Sequence, residues 1–352
     1  MIELGRAEDV GPLFHRVESV ALSADGSMLV ADAGDARIHR FAPDGTHLGS
    51  YGRMGFGPGE FRTLAGVVSR DDGSLVAFDP AMPRFTTFSA SGEVLETRVA
   101  EAPTAHGVSL DVLRLLASLP GERYLLAPAR VVVWPRSSPS LFEEVFPILV
   151  YDARGRVVGP LGPMWRMEMW GDETSSAPLP FAGRSFVWGA GDRVLIAQSG
   201  SGRIEVWNPD GHRIRELVMP GTPPVVTREM THAWVQARVA GAAHMPGVAE
   251  YRGWLERMPF PDRAPFFDDF VLDSMGRFWL RNVVLPGSET ESGWTVLDDG
   301  GIPLARIRLP VALRPRVIQG HRIVGIWTDS LSVQSVRVYR FDDGTDGGAP
   351  ER

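Results

Sequence analysis

The chain has 352 residues, of which 44% are hydrophobic, and it carries a formal net charge of -7. It contains no cysteine and all of its 36 basic residues are arginine, which excludes thiolate nucleophiles, disulfides, zinc-thiolate sites, Schiff-base lysines and lysine-containing phosphate loops. The charges are scattered and form no basic stripe, so nucleic-acid binding is disfavoured.

The first predicted unit spans residues 17–61, where four short runs of Val, Leu, Ile, Phe and Tyr alternate with turns built on Asp-Gly or Gly-Asp pairs. This pattern is typical of a four-stranded antiparallel meander. The unit recurs over residues 67–97, and both its Asp-Gly turn and a later glycine return 47 positions on. Two landmarks at one offset indicate a repeat.

Four more units follow, at 108–162, at 184–219, from 266 and from 316, and the last one stops after its third strand. An open edge strand invites aggregation unless it is paired. We therefore expect residues 2–5 to supply the missing outer strand. The six units predict an all-β ring of sheets in one domain over residues 1–342, followed by a tail at 343–352 that lacks apolar residues and is expected to be disordered.

Two inserts interrupt the repeats. Residues 163–182 are dense in Met and Trp and are expected to form a loop. Residues 220–265 predict a helical insert between the fourth and fifth units, because Thr227 can cap a helix with Met230 and Trp234 on one face. This helical insert is expected to lie across one mouth of the ring.

The inserts also predict a surface at the rim, formed by Trp165, Met167, Trp170, Trp234 and Trp254. One interpretation is that these side chains pack the insert down onto the rim. The alternatives are that they border an apolar pocket over the mouth, or that they bind a partner protein, as exposed Trp does in many interfaces.

Three segments, VADAGDARIHRFAPDG, GRMGFGPGEF and WTDSLSVQSVRVYRF, resemble the six-bladed β-propellers of the NHL-repeat type, and in particular a bacterial family of them. The resemblance covers the chain apart from the inserts. It implies a six-bladed β-propeller and an extracytoplasmic location, whereas a native start at Met1 would imply the cytoplasm. Some propellers of this general shape are lactonases or metal-dependent lyases. If the chain is an enzyme, the resemblance therefore implies an activity of one of these two kinds.

The innermost strands of a propeller all begin at the same mouth of the central channel. Residues at these starts are predicted to converge there: His15, Arg16, His106, Arg184, Asp268, Asp269 and Arg316. Arginines and histidines in a concavity favour an anionic group, for instance a carboxylate held by bidentate contacts. The alternative is that the arginines pair with the two aspartates and line a water-filled channel.

A spacing of five residues recurs in three units and predicts a structural brace across a hairpin, in which a carboxylate or amide holds an arginine. The pairs are Asp32 and Arg37, Asp79 and Arg84, and Gln198 and Arg203.

The function predicted from these observations is that of a non-catalytic binding or scaffold protein. It is expected to be a monomer without a metal or cofactor, to lack a membrane span, and to hold a protein partner or a small anionic ligand at one face of the channel. The alternative is a hydrolase, lyase or isomerase at the channel mouth, with His15 or His106 as general base.

Overall fold

The computed structural model describes residues 1–5, 11–128, 135–284 and 290–341. The first half of these residues contains β1 (Ile2–Leu4), β2 (Val17–Leu22), β3 (Met28–Asp32), β4 (Arg37–Phe41), β5 (His47–Tyr51), β6 (Arg53–Met54), β7 (Glu60–Phe61), β8 (Val67–Ser69), β9 (Leu75–Asp79), β10 (Arg84–Phe88) and β11 (Val94–Val99). Strands β2 to β5 and β8 to β11 form two four-stranded antiparallel meanders. These are the first two units predicted from the sequence.

The third unit begins after two short 3-10 helices (Thr104–His106 and Leu110–Val112). Its region contains β12 (Leu113–Leu119), β13 (Arg123–Pro128), β14 (Ser140–Phe146), β15 (Leu149–Tyr151), β16 (Val157–Pro160), β17 (Trp165–Gly171) and β18 (Ser176–Pro178). Strands β12, β13, β15 and β16 form the third four-stranded sheet, while β14, β17 and β18 form a separate three-stranded sheet. The expectation of a loop over 163–182 was therefore wrong, because the alternation in this segment lets β17 pair along its whole length with β14.

The second half contains β19 (Ser185–Ala190), β20 (Arg193–Gln198), β21 (Arg203–Trp207), β22 (Arg213–Val218), α1 (Arg228–Gly241), α2 (Val248–Arg257), β23 (Asp269–Leu272), β24 (Phe278–Arg281), β25 (Glu291–Leu297), β26 (Pro303–Pro310), β27 (Leu313–Gln319), β28 (Arg322–Thr328) and β29 (Gln334–Arg340). Strands β19 to β22 and β23 to β26 form two further four-stranded sheets. Neither helix in the described ranges is long and apolar enough to span a membrane.

The last sheet is completed by the beginning of the chain, in the order β1-β29-β28-β27. Ile2 pairs with Val338 and Leu4 with Val336, and Leu4 is buried among apolar side chains of the first and last sheets. The predicted closure by an N-terminal strand is confirmed. The predicted tail at 343–352 lies outside the described residues.

Within the described ranges, six four-stranded sheets are arranged around an axis. The first strand of each sheet contacts the first strand of the next in a closed cycle, from β2 through β8, β12, β19, β23 and β27 back to β2. Apolar side chains fill the space between neighbouring sheets, as where the rings of Phe85 and Tyr124 stack at 4.9 Å between the second and third. The fold is a β-propeller, and the first strands line its channel.

Asp32 and Asp79 do not brace arginines, so that expectation was wrong. Both carboxylates are fully buried and accept hydrogen bonds from backbone N–H groups of the segment that enters their sheet: Asp32 from His15 and Arg16 at 2.8 Å each, and Asp79 from Arg62 at 2.7 Å. These amides have no strand partner, and a buried N–H group needs an acceptor. The aspartates therefore anchor each sheet to the preceding connection.

The arginines of the three predicted pairs find other partners. Arg37 forms an ion pair with Asp35 at 3.2 Å, Arg84 donates to the carbonyl oxygen of Gly57 at 2.9 Å, and Arg203 pairs with Glu216. The spacing therefore does not mark a repeated ion pair. What recurs in the first two units is a buried aspartate that accepts hydrogen bonds from backbone N–H groups.

Candidate functional site

Charged side chains gather where the first strands begin, at one end of the channel. They are five arginines and three acidic residues, here named the arginine cluster: Arg114, Arg184, Arg281, Arg314, Arg316, Glu18, Asp268 and Asp269. All of them stand within two positions of the start of a first strand, or within β27, except Arg281, which lies directly opposite Asp269 on β24. The propeller thus concentrates positive charge inside a chain whose net charge is -7.

Two members of the arginine cluster occupy β-bulges. The pairing register shifts between Val17 and Ser19 and again between Pro315 and Val317, which leaves Glu18 and Arg316 as the extra residues. A bulge redirects the side chain of its extra residue and is frequent beside functional sites. Here it turns both side chains toward the channel, where they line the same cavity.

Asp269 is the buried anion of the arginine cluster, with 4% of its surface exposed. Its Oδ1 accepts a hydrogen bond from the N–H of Phe270 at 2.9 Å. Its Oδ2 lies 3.9 Å from Arg281 Nη2 and 4.0 Å from Arg314 Nε and has no hydrogen-bond partner among the described residues. Burial raises the pKa of Asp269, but the surrounding arginines outweigh burial and hold the pKa below its usual value.

Asp268 is held more tightly than its neighbour. Arg281 Nε donates to its Oδ1, the N–H of Val284 donates to its Oδ2 at 3.1 Å, and Arg184 Nη2 donates to its carbonyl oxygen at 2.6 Å. Burial raises the pKa of Asp268, while Arg281 opposes that rise. Asp268 therefore fixes Arg281 and Arg184 in place.

Arg316 has a strongly lowered pKa. Burial, together with repulsion from Arg314 and Arg114, lowers the pKa to about 9, against the attraction of Asp269 and Glu18. Its buried Nε has no hydrogen-bond partner among the described residues. Burial also lowers the pKa of Arg114, whose Nη1 lies 3.6 Å from Glu18 Oε1. The acidic groups therefore do not fully compensate the guanidinium groups.

Two cavities adjoin the arginine cluster. The inner cavity, of about 100 Å³, lies within the channel and is lined by Glu18, Arg114, Arg316 and Trp188 among others. The second, here named the mouth cavity, has a volume of about 260 Å³ and is bounded by Arg184 and Asp268 of the cluster and by Trp234 of α1. The arginine cluster thus contributes to the walls of both.

The mouth cavity is roofed by the inserts. Thr227 Oγ1 accepts a hydrogen bond from the N–H of Met230 at 3.3 Å and so caps α1, as predicted. Residues Met167 and Arg184 form an isolated antiparallel bridge that ties β17 to the start of β19. The three-stranded sheet is therefore joined through its backbone to the channel.

Three of the five predicted rim residues are interior, which agrees with the interpretation that they pack the inserts and not with an exposed partner-binding surface. Trp165, Trp170 and Trp254 are only 5%, 4% and 8% exposed. Trp165 packs between the third and fourth sheets, and the rings of Trp170 and Trp254 meet at 5.1 Å in the core of the insert. Met167 and Trp234 are half-buried and line the mouth cavity.

Asp172 joins the two parts of the insert. Its Oδ1 accepts from Trp254 Nε1 at 3.1 Å and its Oδ2 from Arg257 Nη2 at 3.0 Å. The N–H of Thr174 also donates to Oδ1, at 2.9 Å. Burial raises the pKa of Asp172, but hydrogen bonds from Thr174, Arg257 and Ser175 prevail and hold the pKa well below its usual range. One carboxylate thus links the three-stranded sheet to α2.

Of the seven residues predicted at the channel mouth, the structure brings together Arg184, Asp268, Asp269 and Arg316. His15 is directed elsewhere: its side chain is 65% exposed, with Nδ1 3.6 Å from Asp32 Oδ2, and it lines a groove with Trp327 and Gln334.

Arg16 and His106 also make other contacts. Arg16 Nη2 donates to the carbonyl oxygen of Ala33 at 3.3 Å, and His106 is half-buried in a 3-10 helix, seven residues before β12 begins at Leu113. In the described part of the chain no three His, Asp or Glu side chains come together as metal ligands.

Sequence reasoning missed four members of the arginine cluster: Glu18, Arg114, Arg281 and Arg314. Glu18 and Arg114 are each the second residue of the first strand of their sheet, whereas the prediction took residues that precede those strands. Arg281 was detectable as the strand partner of Asp269 across the Asp-Ser-Met-Gly turn.

No protein-family model and no curated protein matches the chain. Solved structures do resemble it. A member of the DUF4221 family from Bacteroides vulgatus shares 9% identity over 97% of this chain and 97% of its own, with a TM-score of 0.57. A putative exported protein from Bacteroides fragilis shares 10% identity over 97% and 95%, with a TM-score of 0.54.

A virginiamycin B lyase from Staphylococcus aureus is more distant, with 10% identity over 97% of this chain and 98% of its own and a TM-score of 0.45. At such low identities, the similarity to the two Bacteroides structures shows a shared fold and nothing more. It agrees with the β-propeller described above.

Proposed function

We propose that the chain is a six-bladed β-propeller of the NHL-repeat type, a single monomeric domain over residues 1–342. We further propose that it acts as a non-catalytic binding protein for a small anion. The anion is held by the arginine cluster at one end of the channel. The observation that carries this proposal is that five guanidinium groups meet three carboxylates at one end of the channel, where the buried Nε of Arg316 has no hydrogen-bond partner among the described residues.

The surplus matters because charges are costly to bury without compensation. The lowered pKa of Arg316 reflects burial together with repulsion from Arg314 and Arg114. A bound carboxylate would relieve both effects, since guanidinium groups present paired donors that match its two oxygens. The free energy of relieving this repulsion would favour binding.

Binding is favoured over catalysis by the types of side chain at the site. No histidine stands among the described residues that line the inner cavity or the mouth cavity. Asp269, the most buried carboxylate there, has a lowered pKa, which opposes a role as proton acceptor at neutral pH. Arginine supplies charge and geometry without exchanging protons.

The test is thermal unfolding in chloride, acetate, succinate and phosphate at constant ionic strength. An anion at 100 times its Kd should add ~2.7 kcal/mol to the free energy of unfolding and so raise Tm. Arg316→Gln should abolish the rise, whereas Arg228→Gln, at an exposed position of α1, should retain it. Equal shifts in both variants, or none in the native protein with any anion, would refute an anion site in the cluster.

A further inference from the structure

We infer that the ligand is an amphipathic carboxylate, whose anionic end meets the arginine cluster and whose apolar or aromatic end fills the mouth cavity. This inference rests on the proposed function and adds the chemical class of the ligand. Arg184 and Asp268 belong to the arginine cluster and also line the mouth cavity, so the cluster and the cavity share a wall. A molecule anchored at Arg184 therefore extends under the insert.

The walls of the mouth cavity are mostly apolar away from the cluster. Leu179, Phe181, Trp234 and Val283 line it. Its volume of about 260 Å³ equals that of about nine water molecules at ~30 Å³ each. A single ring with a short acidic chain fits this space, whereas an inorganic anion would leave the apolar walls uncovered.

Phe181 has a strained backbone conformation and lines the mouth cavity. Its φ of 58° lies in the left-handed region, which a bulky side chain rarely adopts, and such strain concentrates at functional sites. The ring packs 6.2 Å from that of Phe260 while also lining the mouth cavity. The aromatic ring of Phe181 is thus held at the cavity wall by a backbone conformation that costs conformational free energy.

Trp234 forms a second aromatic wall from α1. Its ring meets that of Phe260 edge to face at 5.9 Å, and the guanidinium of Arg238 lies 5.3 Å from the ring centre. Contacts on these sides fix the indole, which remains half-buried. Two fixed aromatic rings, from different elements, line the mouth cavity and favour an aromatic ligand group in contact with them.

The remaining charges of the mouth cavity leave Arg184 as the anchor. Glu168 and Arg238 both line the cavity and carry opposite charges. The carboxylate of Asp268 is already paired with Arg281. The attraction for an anion therefore comes from Arg184 and the cluster behind it, which places the carboxylate at the channel end.

The experiment compares acetate with phenylacetate by calorimetric titration at constant ionic strength. Both probes carry one carboxylate, and only phenylacetate has a ring for the mouth cavity. The native protein should bind phenylacetate at least about tenfold more tightly, equivalent to ~1.4 kcal/mol. Equal affinity for both would overturn this inference and leave the anion site standing, whereas no binding of either probe would overturn the proposed function as well.

Three variants locate the ring. Phe181→Gly removes an aromatic wall and at the same time relieves the strained backbone, which offsets part of the packing lost with the ring. This variant and Trp234→Ala should each lower the preference for phenylacetate at least about threefold without changing the affinity for acetate. Phe56→Ala, which truncates a ring that is 69% exposed on a connector, is the matched control. An unchanged preference in both cavity variants would overturn the inference.

Discussion

Oδ2 of Asp269 lies 3.9 Å from Arg281 Nη2, yet it accepts no hydrogen bond from any described residue. Apart from the N–H of Phe270, which donates to Oδ1 at 2.9 Å, the carboxylate is held by the summed field of several arginines. Such an arrangement tolerates a change of partners, and a bound anion can share the arginines with Asp269. Charge balance, more than hydrogen-bond geometry, is what keeps the arginine cluster together.

Asp269→Asn should destabilise the fold by about 3 kcal/mol, because it leaves several buried arginines with less compensation. Urea unfolding measures this loss, with Asp192→Asn, at a side chain that is 84% exposed, as the control. Added acetate should restore part of the lost stability if the site binds anions. A variant as stable as the native protein would show that Asp269 does not compensate the cluster.

His39 should make the fold sensitive to acid. Burial lowers its pKa to about 4 from 6.5, with help from His47 and Arg37 and against the attraction of Asp32 and Asp35. The unfolded chain therefore binds the proton more readily than the folded chain. The contribution of His39 to stability is complete above pH 6.5 and is lost as the pH falls toward 4, a difference on the order of 3 kcal/mol.

Urea unfolding from pH 4 to 7.5 measures this slope. His39→Gln should flatten it, since glutamine does not titrate, while His212→Gln, at an exposed position, should leave it unchanged. Identical slopes in the native protein and His39→Gln would assign the acid sensitivity to other groups.

Asp172→Ala should loosen the insert. It removes charge-assisted hydrogen bonds to Trp254 and Arg257, each of which contributes about 1.5 to 3 kcal/mol. Hydrogen exchange read by mass spectrometry should show faster exchange in α2, with the sheets of the ring unaffected. Glu173→Ala, at the neighbouring exposed position, is the control, and equal protection of α2 in both variants would contradict the role given to Asp172.

Leu4→Ala should weaken the closure of the ring. Leu4 is 5% exposed and packs among side chains of the first and last sheets, so its truncation should cost about 3 kcal/mol of unfolding free energy. Leu48→Ala, at a side chain that is 53% exposed, should cost far less. Equal losses in these two variants would mean that β1 contributes little to stability.

The repeat architecture was predictable because it rests on local signals. Alternating apolar runs and Asp-Gly turns mark each meander, and the missing strand of the last unit pointed to β1. The prediction of a loop over 163–182 was wrong because it rested on the Met and Trp content of the segment and not on the alternation of its side chains. Trp170 and Trp254 illustrate the same limit, since a sequence alone does not show that an insert builds a core of its own.

The candidate site was predictable only in part, because bulges and short helices shift the register. Arg184 and Asp268 stand where the pattern placed them, immediately before their strands. Glu18 reaches the channel through a β-bulge, which no residue pattern predicted. His106 was displaced because it lies in one 3-10 helix and a second one, Leu110–Val112, separates it from β12.

The pairing of Ile2 with Val338 also bears on how the protein folds during translation. Strand β1 precedes every other described strand in the chain and β29 follows them all, so β1 leaves the ribosome well before its partner. Until β29 has been synthesised, β1 has no strand to pair with. Until the two strands pair, the outer edge of β29 is open. Closure therefore depends on the most remote contact in the sequence, which should make it a slow, late step and leave the nascent chain exposed to aggregation until it is complete.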